Sequence, residues 1–197
     1  MKRLCLIRHG LTEPLKNHWY YGSTDVPLLP EGEEALRVLS AQGGYPGPEG
    51  FRFLTSGMRR TEQTLHCIYG DLPHQQRPEF REMDFGIFEM HSYEELKDWP
   101  EYQTWIQGDY LRRVIPGGES GEIAMRRMAQ GLEQLLREPE DTILVCHGGT
   151  ILCLMGQLFP GEKENDFLWQ PPAGHGYAID LEAKTWRPIP RPWEEKA

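Results

Sequence analysis

Three short polar segments of the sequence carry residue types that handle phosphate. They are Arg8-His9-Gly10, the segment "TSGMRR" that ends at Arg60, and His147-Gly148-Gly149. Arginine binds a dianionic phosphate through paired, charge-assisted hydrogen bonds, and imidazole is a nucleophile that is partly neutral at pH 7. The three segments therefore indicate phosphoryl transfer to a histidine, a reaction for which imidazole needs no metal ion.

Such a transfer also needs an acid, because the departing oxygen must be protonated. The candidate carboxyl groups cluster in "FREMDFGIFEM" and are Glu82, Asp84 and Glu89. Glu82 and Asp84 are two residues apart, so they share one face of an extended segment. The spacing alone leaves both of them open as the acid.

The polar segments follow runs that predict buried strands. "RLCLIR", "FRFLTS" and "DTILVC" are short and mostly apolar, and a helical pattern follows each one. Repeated strand-helix units predict an α/β fold, a three-layer αβα sandwich with a mainly parallel sheet. Ligands bind at the carboxyl ends of strands in such folds, so the three polar segments are expected to meet there. Gly148 and Gly149 would open a helix, whose N-terminus favours an anion.

The remaining segments predict a cap, one more helix and a tail. Residues from about 91 to 115 are aromatic and charged and indicate a small helical cap insertion. "GESGEIAMRRMAQGLEQLLRE" has the periodicity of a core helix. Three prolines exclude a helix from the tail, about 187–197, which is expected to be extended. The length predicts a single domain over 1–197.

Composition limits the partners of the chain. Its formal charge of -9 argues against nucleic acid and anionic membranes, which bind basic surfaces. No apolar segment reaches membrane length, and Arg8 interrupts the short apolar run near the N-terminus, so we expect a cytoplasmic protein. Two arginines and two histidines nevertheless provide local positive charge for a small phosphorylated metabolite.

The cysteines give no indication of a metal site. Cys5, Cys67, Cys146 and Cys153 lack the Cys-x-x-Cys spacing and predict free thiols. Cys146 and His147 adjoin on or beside a predicted strand, where neighbouring side chains point to opposite faces, so they are poorly placed to ligate one ion. We expect neither a metal nor a cofactor.

Five motifs, in order, resemble those of the histidine phosphatase superfamily, in the branch that includes cofactor-dependent phosphoglycerate mutases and small phosphatases. They are "LIRHGLT", "TSGMRRTEQT", "FREMDFG", "PGGES" and "VCHGG", and they span most of the chain. The resemblance implies that His9 is a phosphohistidine nucleophile and that Glu82 protonates the leaving group and later deprotonates water. It also implies that Arg8, Arg60 and His147 bind the phosphoryl oxygens, whereas Arg59 faces solvent. Further phosphate- or substrate-binding positions are expected at Thr12, Tyr21, Gly22 and Gly148.

Three positions depart from the family pattern. Leu11 replaces a usual polar residue, and Leu15 stands where the family has a phosphate-facing asparagine. The asparagine of this chain, Asn17, comes two residues after that position. A lost hydrogen bond to a charged partner is worth about 1.5 to 3 kcal/mol. Met90 stands where a glycine is common and is expected to reshape the substrate side.

The resemblance implies a phosphomonoesterase of the EC 3.1.3 class. Phosphoglycerate mutase-type transfer is the alternative within the family, disfavoured because the mutases are generally longer. A non-catalytic phospho-ligand binding protein is the alternative outside enzymes, supported only by Leu11 and Leu15.

Aromatic residues indicate the substrate side. Trp19, Tyr20 and Tyr21 follow the nucleophile loop and suit a flat organic leaving group. The segment "MDFGIFEMHSYEELK" and the chain length resemble α-ribazole phosphatases, which suggests α-ribazole 5'-phosphate as a substrate. The cap residues Trp99, Tyr102, Trp105 and Tyr110 could either contact the substrate or pack the core of the cap.

Overall fold

The computed structural model describes residues 1–109 and 111–190, so Tyr110 and the part of the predicted tail beyond residue 190 lie outside the described residues. Its strands are β1 (Arg3–Arg8), β2 (Trp19–Tyr20), β3 (Phe51–Thr55), β4 (His74–Gln76), β5 (His91–Ser92), β6 (Asp141–Cys146), β7 (Gly176–Asp180) and β8 (Thr185–Ile189). Six of them form one sheet in the order β4-β3-β6-β1-β7-β8, and β2 pairs with β5 separately. The part built from β4, β3, β6 and β1 is parallel, as predicted.

Helices cover both faces of this sheet. They are α1 (Glu13–Lys16), α2 (Pro30–Ala41), α3 (Arg59–Tyr69), α4 (Tyr93–Leu96), α5 (Pro100–Gln107), α6 (Gly121–Arg137) and α7 (Gly148–Leu158). One core layer contains Leu36 of α2 and Leu65 of α3, and the other contains Met128 of α6 and Leu154 of α7. The predicted three-layer αβα sandwich is therefore confirmed.

Strand β1 shows why apolar runs in the sequence predict the strands of this sheet. Leu4 and Leu6 enter the core layer beneath α6 and α7, whereas Cys5 and Ile7 enter the layer beneath α2 and α3. All four are at most 2% exposed. Because successive side chains of a strand point to opposite faces, a strand covered on both faces must be apolar throughout.

Register places the polar strand ends side by side. Arg8 at the end of β1 lies opposite Cys146 of β6, and Thr55 at the end of β3 lies opposite Val145. The residues that follow these three strands consequently leave the sheet at the carboxyl ends of the strands. The site forms at these neighbouring strand ends.

The strands β7 and β8 were not predicted from the sequence. They join the sheet antiparallel to β1 and to each other and form its outer edge. Residues 187–189 end β8, so this described part of the predicted tail is extended. An edge strand tolerates Pro188, which has no N–H to donate to a ladder.

The segment predicted as a cap holds β5 and the short helices α4 and α5. Its own apolar cluster contains Phe88, Leu96, Tyr102 and Ile115. Tyr102 is 2% exposed, so it packs the core of the cap. No helix in residues 1–109 or 111–190 is both long and apolar enough to cross a membrane.

Met90, just before β5, has a φ of 63°, in the left-handed region that favours glycine. This backbone geometry accounts for glycine being common at the position. Met90 adopts it while its amide donates a hydrogen bond of 2.7 Å to the Tyr20 carbonyl. The turn thus joins the two strands of the small sheet even without glycine.

Candidate active site

His9 follows β1 directly and is 2% exposed. Its Nδ1 lies 2.7 Å from the Gly10 carbonyl oxygen, an acceptor, which assigns the proton to Nδ1. Nε2 therefore carries the lone pair. The Tyr21 hydroxyl lies 3.2 Å from this nitrogen and can donate to it. The ring is thus held in one tautomer with its unprotonated nitrogen on the side of Tyr21.

His147 caps the N-terminus of α7, directly after β6, and is fully buried. The ring centroids of His147 and His9 are 5.3 Å apart because β1 and β6 are neighbours in register. Arg60 Nε donates to His147 Nδ1 over 3.3 Å, which leaves Nε2 as the protonated nitrogen, 2.8 Å from the Ser56 hydroxyl. Residues from three strand ends therefore converge, as predicted.

Arg60 and Arg8 bring two positive charges beside the histidines. Arg60 is fully buried on the first turn of α3 and donates to the carbonyl oxygens of Thr24 and Gly22 at 2.9 and 2.8 Å. Arg8 donates to the Pro171 carbonyl at 2.7 Å, while its Nε is buried and has no hydrogen-bond partner among the described residues. Since these acceptors are neutral groups, both guanidinium charges are available to an anion. Arg59 is exposed.

The environment keeps both imidazoles neutral. Burial lowers the pKa of His9 well below its usual value, and the nearby Arg60 and Arg8 lower it further. Burial is also the main cause of the strongly lowered pKa of His147, followed by Arg60 and His9. A histidine with a low pKa retains its lone pair at neutral pH. We call Arg8, His9, Arg60 and His147 the anion floor.

Glu82 is the carboxylate that faces the anion floor. Its Oε2 accepts the Gly149 amide at 2.8 Å, and its Oε1 accepts the amide of Met83 at 3.0 Å. A Cβ on residue 149 would come within 2.4 Å of Oε1, so glycine is needed for this approach. One of the helix amides predicted to hold an anion is thus occupied by Glu82.

The other two candidate acids point elsewhere. Asp84 accepts hydrogen bonds from the Ser23 hydroxyl and the Gly86 amide. Glu89 accepts from backbone amides that follow β2 and from the Thr24 hydroxyl. Both carboxylates therefore organise loops, and only Glu82 of the three lines the cavity above the anion floor.

Sequence comparison agrees with this geometry. The sequence model of the histidine phosphatase superfamily (branch 1) matches residues 4–188. The chain belongs to this superfamily. The histidine phosphatase is 28% identical to adenosylcobalamin/alpha-ribazole phosphatase of Escherichia coli K12 over 191 residues, which cover 92% of this chain and 91% of that protein. It is therefore an enzyme of the phosphatase and mutase type.

Two further similarities extend the comparison. The crystal structure of a putative alpha-ribazole-5'-P phosphatase from Escherichia coli superposes with a TM-score of 0.83 at 27% identity, covering 95% of this chain and 94% of that one. Human 6-phosphofructo-2-kinase/fructose-2,6-bisphosphatase 4 is 30% identical over 155 residues, 78% of this chain but 32% of that protein. Similarity to the first protein extends over both chains almost entirely.

The cavity of the histidine phosphatase measures about 590 Å³, and two groups of residues stand out in its lining. Arg8, His9 and Arg60 of the anion floor line it, together with Gly148 and Glu82. The second group is aromatic, and we call it the aromatic wall; it consists of Trp19, Tyr20, Phe85, Trp105 and Phe167. Trp105 of the cap thus faces the cavity, whereas Tyr102 does not line it.

Of the four predicted binding positions, two line the cavity and two do not. Tyr21 and Gly148 line the cavity. Thr12 is buried beside it, and its hydroxyl donates to the Tyr21 hydroxyl at 3.0 Å. Gly22 holds Arg60 through its carbonyl, and a Cβ there would come 1.7 Å from the Met83 carbonyl oxygen. Thr12 and Gly22 therefore orient Tyr21 and Arg60.

Sequence reasoning missed several cavity residues. His18 lines the cavity with a left-handed φ of 57°, and Gln170 lies beside Gly148 and Arg8. No local pattern marks Gln170, because residues 160–175 reach the site only through folding. Leu15, which stands where the family has a phosphate-facing asparagine, lines the cavity as well.

A second depression, of about 710 Å³, lies between α2 and α3. Its histidines are already paired, His66 with Asp71 and His74 with Glu62. It is larger than the cavity at His9 but contains none of the anion floor. Among the residues that the structure describes, no three His, Cys, Asp or Glu side chains are grouped to hold a metal ion.

Proposed function

We propose that the chain is a metal-independent phosphomonoester hydrolase that forms a phosphohistidine on His9. The observation that carries the proposal is the neutral His9 ring, which lies near the buried Arg60 and the partly buried Arg8 and lines one cavity with Glu82. Nucleophile, charge stabilisation and acid are all supplied by side chains. The proposal requires no further catalytic group.

In the first half-reaction, His9 Nε2 attacks phosphorus and forms the P–N bond as the P–O bond to the leaving group breaks. Glu82, in its protonated form, transfers its proton to the departing oxygen. In the second, the Glu82 carboxylate takes a proton from water as the water oxygen attacks phosphorus. The P–N bond then breaks, its electrons return to Nε2, and phosphate leaves.

The anion floor stabilises the charge of the transferring group. Arg8 and Arg60 bind its equatorial oxygens, and the unpartnered Nε of Arg8 is a donor already in place for one of them. His147, whose ring lies 5.3 Å from that of His9, helps to stabilise the same oxygens when its Nε2–H exchanges the Ser56 hydroxyl for one of them. The Tyr21 hydroxyl leaves Nε2 when phosphorus approaches and then donates to a phosphoryl oxygen.

The aromatic wall favours a leaving group with a flat apolar part. Phe85, Trp105 and Phe167 line the cavity with aromatic rings, and none of the three carries a charge that would bind a second phosphate. The relatives named alpha-ribazole phosphatase support α-ribazole 5'-phosphate as the substrate. Phosphoglycerates lack an aromatic part, which makes mutase chemistry the weaker candidate.

His9→Ala tests the mechanism. We expect kcat/KM toward an aryl phosphate to fall by at least about 10⁴-fold, because the covalent route is removed. Rapid quenching of Glu82→Gln with ³²P-labelled substrate should show acid-labile phosphate on His9. An alanine variant with wild-type activity would refute the proposal.

A panel of phosphate esters tests the substrate. It should contain α-ribazole 5'-phosphate, 3-phosphoglycerate and glycerol phosphate, with release of phosphate measured in each case. We expect the highest kcat/KM for α-ribazole 5'-phosphate. Interconversion of phosphoglycerates faster than phosphate release would establish the mutase instead.

A further inference from the structure

The segment of residues 79–84, which we call the acid segment, carries Glu82 but has only one 3-10 turn of regular structure. Its carbonyl groups need hydrogen-bond donors from elsewhere. Arg127 of α6 supplies them. Nη1 donates to the carbonyls of Glu79 and Arg81 at 3.0 and 2.9 Å, and Nη2 donates to the Glu82 carbonyl at 3.3 Å.

Arg127 is in turn held by Glu119. Nε and Nη2 of the arginine donate to the two carboxylate oxygens at 3.1 and 2.7 Å, a bidentate pair whose side chains are 27% and 20% exposed. Glu119 also accepts the amide of Asp84 at 3.1 Å, and its own amide donates to the Asp84 carbonyl at 2.9 Å. The pair therefore contacts the acid segment along most of its length.

The Glu82 carboxylate itself has few restraints. Within residues 1–109 and 111–190, its hydrogen bonds come from the amides of Met83 and Gly149, and neither donor is a cation that would hold it by charge. Its position consequently depends on the backbone that carries it. A shift of about 1 Å in a reacting group can lower a rate by about 10²-fold.

We infer that Arg127 and Glu119 are positioning residues for Glu82, which they hold at the depth needed for proton transfer to the leaving oxygen. The inference rests on the proposed function. Arg127 does not line the cavity of the anion floor, and its hydrogen bonds reach Glu82 through the backbone of the acid segment.

Esters with different leaving groups distinguish a displaced Glu82 from a general effect of the substitution on folding. A dinitrophenolate departs readily without a proton, whereas an alkoxide such as benzyl alcoholate requires one. A misplaced acid therefore slows the benzyl ester selectively. Damage to the anion floor, or partial unfolding, slows both esters alike.

The experiment compares Arg127→Met with Arg126→Met, which removes a 66%-exposed neighbour on the same helix. We expect Arg127→Met to lower kcat/KM for benzyl phosphate about 10- to 100-fold and that for 2,4-dinitrophenyl phosphate less than about threefold. Arg126→Met should leave both values unchanged. Arg127→Lys should recover only part of the loss, because one ammonium group cannot replace the planar fork.

Glu82→Gln, measured on the same two esters, provides the reference. If it shows the selective loss and folded Arg127→Met does not, the inference is wrong. If Glu82→Gln shows no selectivity, the proposed acid itself is wrong. Should Arg127→Met fail to fold, Glu119→Gln replaces it, and an equal loss on both esters would overturn the inference.

Discussion

The anion floor and the aromatic wall share one cavity but are built in opposite ways. His9, Arg60 and His147 of the floor are at most 2% exposed, and hydrogen bonds to the backbone or to one another orient them. In the wall, Phe167 is 63% exposed and comes from a single 3-10 turn, Asp166–Trp169, far along the chain. From this difference we expect the floor to determine the rate of the proposed reaction and the wall to determine which ester is preferred.

Arg60→Met should have the largest effect on this comparison. It removes a buried charge and the hydrogen bond to His147, so we expect kcat/KM to fall about 10²- to 10³-fold for every ester, whatever its leaving group. Arg59→Met is the matched control because Arg59 is exposed. A loss that depended strongly on the leaving group would contradict the assignment of rate to the floor.

Phe167→Ala should change the preference among phosphate esters rather than the rate for all of them. We expect KM for an ester with an aromatic leaving group to rise about three- to tenfold, with kcat and the values for glycerol phosphate unchanged, because one stacking surface is lost. Leu168→Ala is the control, since Leu168 is 41% exposed and does not line the cavity. Equal losses on both esters would show that the wall is not selective.

The smallest expected effect is the dependence of stability on pH. The pKa values of His9 and His147 are lowered in the folded state, so the unfolded chain binds more protons below about pH 6.5. Stability is therefore present above that pH and is lost on acidification, by on the order of 1 kcal/mol per pH unit for each histidine. Urea unfolding at pH 7.5 and 5.5 measures it, and His9→Asn should reduce the change.

His74 provides a control of opposite sign. The Leu72 carbonyl and Glu62 raise its pKa, so its contribution is present below about pH 6.5 and is lost as pH rises through the raised value. His74→Asn should remove the decrease in stability that accompanies rising pH above about 6.5. It should leave the decrease on acidification unchanged. If it alters the decrease on acidification, the buried histidines His9 and His147 are not the source of that decrease.

The parallel part of the fold was predictable because burial on both faces leaves an apolar run, as in β1 and β6. Strand β8 was not, since its exposed and half-buried residues alternate at the edge of the sheet and resemble a loop. Likewise, the two-residue spacing could not decide between Glu82 and Asp84 as the acid. The acid segment is not a regular strand, and it turns one carboxylate toward α7 and the other toward Ser23.

The sequence by itself determined the chemistry of the site: the residue types, their order, and strand ends that had to share one edge of a parallel sheet. Only the tertiary structure decided which carboxylate lines the cavity with His9, that Arg127 contacts the backbone of that residue, and that Phe167 and Trp105 line the same cavity. The physical reason is range. Strand burial and helix periodicity are local properties of the chain, whereas these contacts join residues that are distant in sequence and meet only through packing.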